Sequence, residues 1–559
     1  MKVATAPAHD RFVYATMPLG ANWLFTAAYL PGGEMAARLA NFGALGLTAA
    51  LIRNCTRSNL AAALYVSTPV LELVTGSLFV ENTQAAFALA AAMAGGPVRG
   101  ALLLGAAMMI KLSSLTFVAP LVLLLAWQHR RASWRRWGIA AGVFLLWALP
   151  AYVTAFARTG NPVFPLANAW FRSGGFGTNA MFTDPRFAQP LSWTTLYDLT
   201  FHSSRYFEGW DGAFGMQWLL APLVILIPGA GRRTVAAGCV SAAAVLMTAP
   251  NLRYLTPALA MIAPAFGAIG ARGWIAQAAL LGCFAANLWL MPASSSWHRD
   301  SALNWLDSQA VTAYVLEHAP ARALVAEMNR EGAGKPVLFV ENTHFAGLSG
   351  RAYSNSWYHY SFASRLEHAD STEAINELLR GSGIEYAVAP APEAVPQWGL
   401  AELLDRQGRV VSRSGALRLY AIEREPRAAR EVIVLGPGRY ENDSAGLRFS
   451  GSWRRQGGFA DASSGSVTYS EVTGATARIR FRGTGLRWIF TRAPNRGLAR
   501  VRVDGGAARE VDLHAADVAW QASYSVTELP AGEHEAVIEV GGRGFVDVDA
   551  VEVAGESAP

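Results

Sequence analysis

The sequence predicts a multi-domain protein: a polytopic α-helical membrane domain over residues 1–295, a small α/β domain over 296–425, and an all-β, jelly-roll-like sandwich over 430–556. Three observations carry this reading. From Met35 to Pro292 apolar runs follow one another almost without charge. From residue 296 helix-like segments ("AVTAYVLEHAPARALVAEMN", "STEAINELLRG") alternate with strand-like ones ("KPVLFVEN", "IEYAVAPA"), the rhythm of an α/β layer. Beyond a linker at 423–431, "ATARIRFRG", "LRWIFTR", "LARVRVDGG" and "EAVIEVGG" alternate at period two and end in Gly or Asp-Gly turns.

The membrane assignment is compositional first. Hydrophobic residues make up 52% of the 559 and charged residues only 16%, well away from a soluble average. About ten candidate spans fall at 35–52, 59–78, 83–96, 98–113, 115–127, 137–156, 214–229, 234–249, 254–270 and 274–292. Basic loops at 128–137 and 231–234, with Arg53, Arg57 and Arg272, mark one side, which should be the cytoplasm. Alternation then places Glu81, Lys111, the loop 157–213 and everything after Pro292 outside. The net charge of +6 sits largely at the ends of apolar runs, where topology accounts for it, so a nucleic-acid partner is disfavoured. Cys55, Cys239 and Cys283 fit neither a disulfide framework nor a zinc site and read as packing residues.

Charged residues in apolar settings are the candidate functional groups. Lys111, at the edge of "LLLGAAMMIKLSSLTF", either meets an anion or snorkels to a surface. Arg253 and Tyr254 in "APNLRYLTPAL" break the positive-inside pattern, and a guanidinium there suits a lipid-linked phosphate or lipid headgroups. Glu81 follows "GSLFV" at the outer end of a span, as a catalytic-site carboxylate or an ordinary loop acid. In the long loop His202, Arg205 and Glu208 fall at i, i+3 and i+6. A short helix would bring neighbouring pairs onto one face, as a base or donor-binding trio or as a structural salt bridge. Asn161 and Pro162 in "GNPVFP" shape the turn at the end of a span. In the sandwich, Trp453, Trp488 and Trp520 read either as platforms for sugar rings or as core residues. Arg492, Asn495 and Arg496 would be the hydrogen-bonding partners of such platforms. No metal-ligand spacing and no nucleotide-binding fingerprint stands in a supporting context.

Several stretches resemble, in order, bacterial polytopic glycosyltransferases of the GT-C superfamily: "YATMPLGANWLFTAAYLPGGEMAARLANFGALGL", "KLSSLTF", "RTGNPVFPLAN", "DLTFHSSRYFEGWDGAFGMQWLLAPL" and "LRYLTPALAMI". The likeness covers about residues 10–425. It implies an enzyme of the bacterial cytoplasmic membrane whose C-terminal domains lie outside. Such enzymes transfer a sugar from a polyprenyl-phosphate carrier to an extracytoplasmic glycan, lipid or protein acceptor. Lys111, Arg205, Arg253 and Tyr254 would bind the donor phosphate, and a divalent metal is compatible with the chemistry. The family carries a further helix and an acidic catalytic loop upstream of the position of Tyr14, and this sequence starts close to that point. The expectation is therefore an N-terminally incomplete chain, inactive as it stands, with Glu81, Glu208 and His202 as substitute candidates for the catalytic acid and Asp10 wrongly spaced for it. Asn22 stands where relatives often carry Glu. "FSGSWRRQGG", "GTGLRWIFTRAPNRGLARVRVDG" and "GFVDVDAVEV" are similar to galactose-binding-like and carbohydrate-binding modules. Two other classes compete: a non-catalytic, membrane-anchored carbohydrate-binding surface protein, and a transporter or flippase, which would show internal repeats that are not visible here.

Overall fold

The computed structural model describes residues 12–178, 189–226, 231–294, 307–369, 371–424 and 433–555. They form two compact units, one built on the helices up to Ser294 and one on the residues from Asp307 onward.

The first unit is helical. Its helices are α1 (Gly20–Thr56), α2 (Asn59–Val66), α3 (Pro69–Gly76), α4 (Glu81–Ala92), α5 (Pro97–Ile110), α6 (Leu115–Gln128) and α7 (Trp134–Thr159). After the long loop and two short helices, α8 (Asn168–Phe171) and α9 (Thr195–Phe201), come α10 (Arg232–Thr248), α11 (Thr256–Ile262), α12 (Pro264–Gly270) and α13 (Trp274–Trp289). Among the described residues two helices, α1 and α7, are long and apolar enough to cross a membrane, and a third qualifies if the pair Leu252–Ile262 and Pro264–Gly270, bent by 48°, is one span. The helices of this unit carry large apolar side chains in the open, among them Met35 of α1, Trp134 and Leu146 of α7, and Trp289 of α13. Exposed apolar area on this scale marks a lipid- or protein-facing surface. In α7 the buried residues are Ala140, Ala148 and Ala155, a stripe of small side chains. Its Phe144 lies so near Gly105 of α5 that a Cβ there would stand 2.8 Å from the Phe144 carbonyl oxygen. Close approach over small residues is how helices pack where lipid removes the hydrophobic drive between them.

Proline and glycine decide where the apolar runs break. Helix α1 starts before the expected span at 35–52 and kinks at Gly33 (φ 63°, ψ −157°), two residues after Pro31. The 59–78 run splits at Ser67–Thr68, with Pro69 opening α3. In the 214–229 run the described residues form no α-helix: Met216–Leu226, with Pro222 inside it, is a 3-10 run. Proline supplies no N–H to an i→i−4 ladder and clashes with the preceding turn. Cys55 and Cys239 are exposed, not packed as the sequence suggested, while Cys283 packs against the core.

The second unit begins with α14 (Ser308–His318) and α15 (Ala321–Glu331) and a five-stranded mixed sheet of order β2-β1-β3-β5-β4. Its strands are β1 (Val337–Phe339), β2 (Ala352–Ser354), β3 (Tyr386–Ala389), β4 (Gly408–Ser414) and β5 (Leu417–Ile422). Strand β1 pairs in parallel with both β2 and β3, and β5 adds antiparallel. Helices α16 (Tyr360–Glu367), α17 (Thr372–Gly381) and α18 (Trp398–Gln407) cover the sheet. Leu366, Ile375, Leu379 and Leu400 pack with Leu338 and Ala387. Twelve further strands form a multi-sheet β region with two main sheets. One has order β13-β12-β15-β10-β7, from β7 (Leu447–Ser450), β10 (Thr476–Gly483), β12 (Leu498–Val503), β13 (Arg509–Asp512) and β15 (Gly532–Gly542). The other has order β14-β11-β17-β6, from β6 (Gly438–Glu441), β11 (Gly485–Arg492), β14 (Ala519–Val526) and β17 (Ala550–Ala554). A small sheet adds β8 (Arg454–Gly457), β9 (Ser466–Ser470) and β16 (Val546–Val548). The period-two pattern is realised residue by residue: in β10 Ala477, Ile479 and Phe481 turn inward and meet Ile538, Trp488 and Val551, while Arg478, Arg480 and Arg482 face water.

Candidate functional site

The charged residues singled out in the helical unit converge. Glu81 is the first residue of α4, where the helix dipole favours a carboxylate, and it is 1% exposed. Lys111 leaves the end of α5 in extended conformation, and its Nζ lies 2.7 Å from Glu81 Oε1 and 3.9 Å from the centre of the Tyr254 ring. Arg253 stands on the 3-10 turn Leu252–Leu255; its Nε is 2.9 Å from Glu208 Oε2 and 3.7 Å from Glu81 Oε1. Its guanidinium lies 3.8 Å from the centre of the Phe79 ring. Two cations, two carboxylates and two aromatic faces therefore meet in one place, with Lys111 the most open of the four charged side chains at 28%.

Local backbone builds this arrangement. Asn82 Nδ2 donates to Thr75 Oγ1 at 2.8 Å, and Asn41 Nδ2 of α1 donates to the carbonyls of Val74 and Thr75, pinning the loop that carries Phe79. From the long loop, Phe207 bridges to Asn251 and accepts from the Leu252 N–H at 3.2 Å. Gly209 permits that approach, since a Cβ there would stand 2.1 Å from Leu252 Cδ1. Glu208 itself adopts φ 68°, a left-handed conformation rare outside glycine. Burial raises its carboxyl above the ordinary range, with Arg253 opposing and Glu81 adding to the shift.

Other expectations are corrected. His202, Arg205 and Glu208 do not share a helix: α9 ends at Phe201, a 3-10 turn follows, and Glu208 turns away to Arg253. Arg205 pairs with Asp198 at 2.9 Å and stays half-exposed, apart from the cluster, while His202 lies edge-on to Tyr197. Asp10 lies outside the described residues. Asn161 shapes its turn as expected, donating to the Leu166 carbonyl at 2.8 Å and accepting from Val163 N–H at 2.9 Å. Asn168 does the same for the next turn through the Ser173 and Phe176 carbonyls.

In the β region the sugar-platform reading fails for two of three tryptophans. Trp453 and Trp488 are wholly buried core residues, with no ring face open to a glycan. Trp488 Nε1 donates to the Asp547 carbonyl at 3.2 Å. Trp520 is partly exposed and packs against Phe459. Arg496 is committed to Asp547 at 2.9 Å, Asn495 is exposed and accepts from Arg496 Nη1, and Arg492 is exposed with one bond to the His514 carbonyl. No group of three or more metal-ligating side chains occurs among the described residues.

The sequence signal for the helical cluster was charge in apolar context, and it located Glu81, Lys111 and Arg253. Phe79, Asn41 and Gly209 gave no such signal, because an apolar ring, a single amide and a glycine are ordinary in a membrane-type helix or loop.

No family model matches the chain. An A type blood α-D-galactosamine galactosaminidase of Flavonifractor plautii is 33% identical over 103 residues, 18% of this chain and 9% of that protein. An A type blood N-acetyl-α-D-galactosamine deacetylase of the same organism is 32% identical over 96 residues, 17% of this chain and 12% of that protein. The chain thus spans only a small part of the curated relatives it matches. Among solved structures, ArnT from Cupriavidus metallidurans bound to undecaprenyl phosphate is similar at TM-score 0.46 and 14% identity, covering 74% of this chain and 89% of that one.

Proposed function

We propose that this chain is a polytopic glycosyltransferase of GT-C type that takes a sugar from a polyprenyl-phosphate carrier and passes it to an extracytoplasmic glycan or glycolipid. The observation that carries the reading is the convergence of Lys111 and Arg253, from separate segments, on one pocket of charge. In the resting state the carboxylates of Glu81 and Glu208 neutralise the two cations. A phosphate oxygen would replace a carboxylate as their partner, bound by charge-assisted hydrogen bonds from the ammonium and the planar guanidinium. Tyr254 and Phe79 confine the cations laterally. As the sugar departs, negative charge grows on the carrier phosphate, and these fixed cations stabilise it. Glu208, displaced from Arg253 and with its carboxyl raised by burial, is the group best suited to take the acceptor proton. About ten apolar segments would lie in the cytoplasmic membrane with the basic loops inside and the second unit outside. The β region would act as a carbohydrate-binding-like sandwich through its exposed residues.

The test is lipid-phosphate affinity in nanodiscs. Lys111→Met and Arg253→Gln should each weaken undecaprenyl phosphate binding by about 10–100-fold, the worth of one charge-assisted bond. Undiminished binding in both variants removes this cluster from the donor site. Labelling of cysteines introduced at Ser133 and Tyr440 by an impermeant reagent in intact cells tests orientation, with only the latter expected to react.

A further inference from the structure

The α/β part of the second unit contains a cleft that no sequence motif announces. In the order β2-β1-β3 the chain leaves β1 toward one side and crosses back to the other, so the strand order reverses at β1. In open α/β sheets ligands bind outside the carboxyl ends of the strands at such a reversal, because diverging loops leave a crevice there. Glu341 stands two residues beyond β1, Asn355 directly after β2, and Pro396 and Gln397 on the segment that follows β3. Arg454, Arg455 and Gln456 of β8 and Tyr469 of β9 close the other side, leaving a cavity of about 200 Å³.

The walls are fixed relative to each other. Arg455 N–H donates to the Pro396 carbonyl at 2.8 Å, Trp398 N–H to the Trp453 carbonyl at 3.1 Å, and Ser452 Oγ to the Glu367 carbonyl at 2.6 Å. Glu341 adopts φ 53° and is held by a reciprocal pair: its N–H donates to Asn355 Oδ1 at 2.8 Å, and Asn355 Nδ2 donates to its Oε1 at 2.5 Å. Left-handed backbone in a non-glycine residue costs free energy and is characteristic of functional sites. Across the cleft Arg454 pairs with Glu367 at 2.9 Å, and Tyr469 is braced edge-on by Phe545.

We propose that this cleft binds one monosaccharide unit of a neutral or cationic glycan. Its groups are the planar, bidentate kinds: carboxylates, side-chain amides and two guanidiniums. Vicinal hydroxyls, each able to donate and accept, match them in pairs. The Tyr469 ring offers an apolar face for the C–H side of a pyranose. The volume is below the roughly 300–1,000 Å³ of drug-sized ligand sites, which suits one sugar ring and is too small for a nucleoside diphosphate. Arg454 is paired with Glu367, and Arg455 with Asp443 outside the lining, while Glu341 forms no ion pair among the described residues, so the Glu341 carboxylate is the lining charge without an opposite partner. That charge repels anionic sugars.

The experiment is ligand-observed saturation-transfer titration of the intact chain in nanodiscs with D-galactose, N-acetyl-D-glucosamine, D-galactosamine and D-glucuronate. No lipid carrier or transfer step enters, so failure of the transferase reading leaves this measurement intact. At least one neutral or amino sugar should bind with a millimolar dissociation constant, and D-glucuronate about tenfold or more weaker. Glu341→Ala and Tyr469→Ala should each weaken binding about tenfold, whereas Arg502→Ala, on the outer face of β12, should leave it unchanged. Gln456→Ala, at an exposed position, serves if Tyr469→Ala does not fold, with a smaller loss expected. Absence of binding by every sugar, equal binding of D-glucuronate, or undiminished binding in the Glu341 and Gln456 variants overturns the proposal.

Discussion

Two places in the molecule bring an arginine to a buried carboxylate, and they are finished differently. In the β region Asp547 is inaccessible: Oδ1 accepts from Arg496 Nε at 2.9 Å and Oδ2 from the Thr491 N–H at 3.0 Å. In the helical unit Glu81 is equally deep, yet its Oε2 has no hydrogen-bond partner among the described residues, and its partner Lys111 is partly open. A saturated buried pair fixes one packing arrangement, whereas an incompletely satisfied one retains capacity for a ligand. On the proposed reading the difference separates a structural clasp from a donor site, although both look alike as sequence.

The comparison breaks most visibly at the clasp. Arg496→Ala strands the Asp547 charge, and loss of one partner of a buried pair costs about 3–5 kcal/mol. Trp488→Ala should cost a similar amount, about 3–5 kcal/mol, by opening a cavity beneath the same aspartate. Calorimetric melting of the intact chain should show the transition of the β region fall sharply in both. Lys111→Met should cost no more than about 1–2 kcal/mol, because Arg253 still faces Glu81. If Lys111→Met destabilises as much as Arg496→Ala, the helical cluster is a second clasp and the contrast disappears.

The next test sharpens the site side. Burial raises the Glu208 carboxyl, so lowering pH protonates it earlier than an ordinary glutamate and releases Arg253 from its partner. Affinity for undecaprenyl phosphate in the parent should therefore gain on the Glu208→Gln variant as pH falls through that raised value, since the variant carries the neutral form at every pH. The ratio of the two affinities cancels the titration of the phosphate itself. A ratio independent of pH would mean that Glu208 does not compete with the lipid for Arg253.

What was legible in the sequence follows from what each physical term leaves behind. Apolar runs and period-two alternation record burial directly, so the helical first half and multi-sheet second half could be read. Charge in an apolar run is costly enough to be conspicuous, which exposed Lys111 and Arg253. The direction of a side chain is not recorded: Trp488 and Trp520 sit in similar alternating strands, yet one is in the core and the other at the surface. The Glu341 cleft was invisible for a related reason. Its walls come from loops after β1, β2 and β3 and from β8, more than a hundred residues after Glu341, and only sheet order brings them together. The trio His202, Arg205 and Glu208 misled because regular spacing implies a shared face only if a helix continues, and α9 stops at Phe201.

The smallest expected effect comes from an acid–base pair at the surface, which sets the lower end of the same comparison. His534 Nδ1 lies 2.6 Å from Asp504 Oδ2 and its Nε2 lies 2.7 Å from the Pro530 carbonyl oxygen. Both partners are acceptors, so the ring is satisfied only when both nitrogens carry protons. The bond to Asp504 first, and that to Pro530 second, raise the His534 value, while Asp504 is lowered by the Glu535 N–H and by His534 against a cost of desolvation. A raised histidine contributes stability that is complete below its unfolded value of about 6.5 and is lost as pH rises through the folded value. The lowered aspartate contributes above its unfolded value and loses that contribution in acid. Melting of the β region should therefore fall slightly between mildly acidic and alkaline pH, by no more than a few degrees because solvent screens the pair. His534→Gln should flatten that slope and leave the Arg496–Asp547 clasp untouched. A slope that persists in His534→Gln would assign the pH dependence to another group.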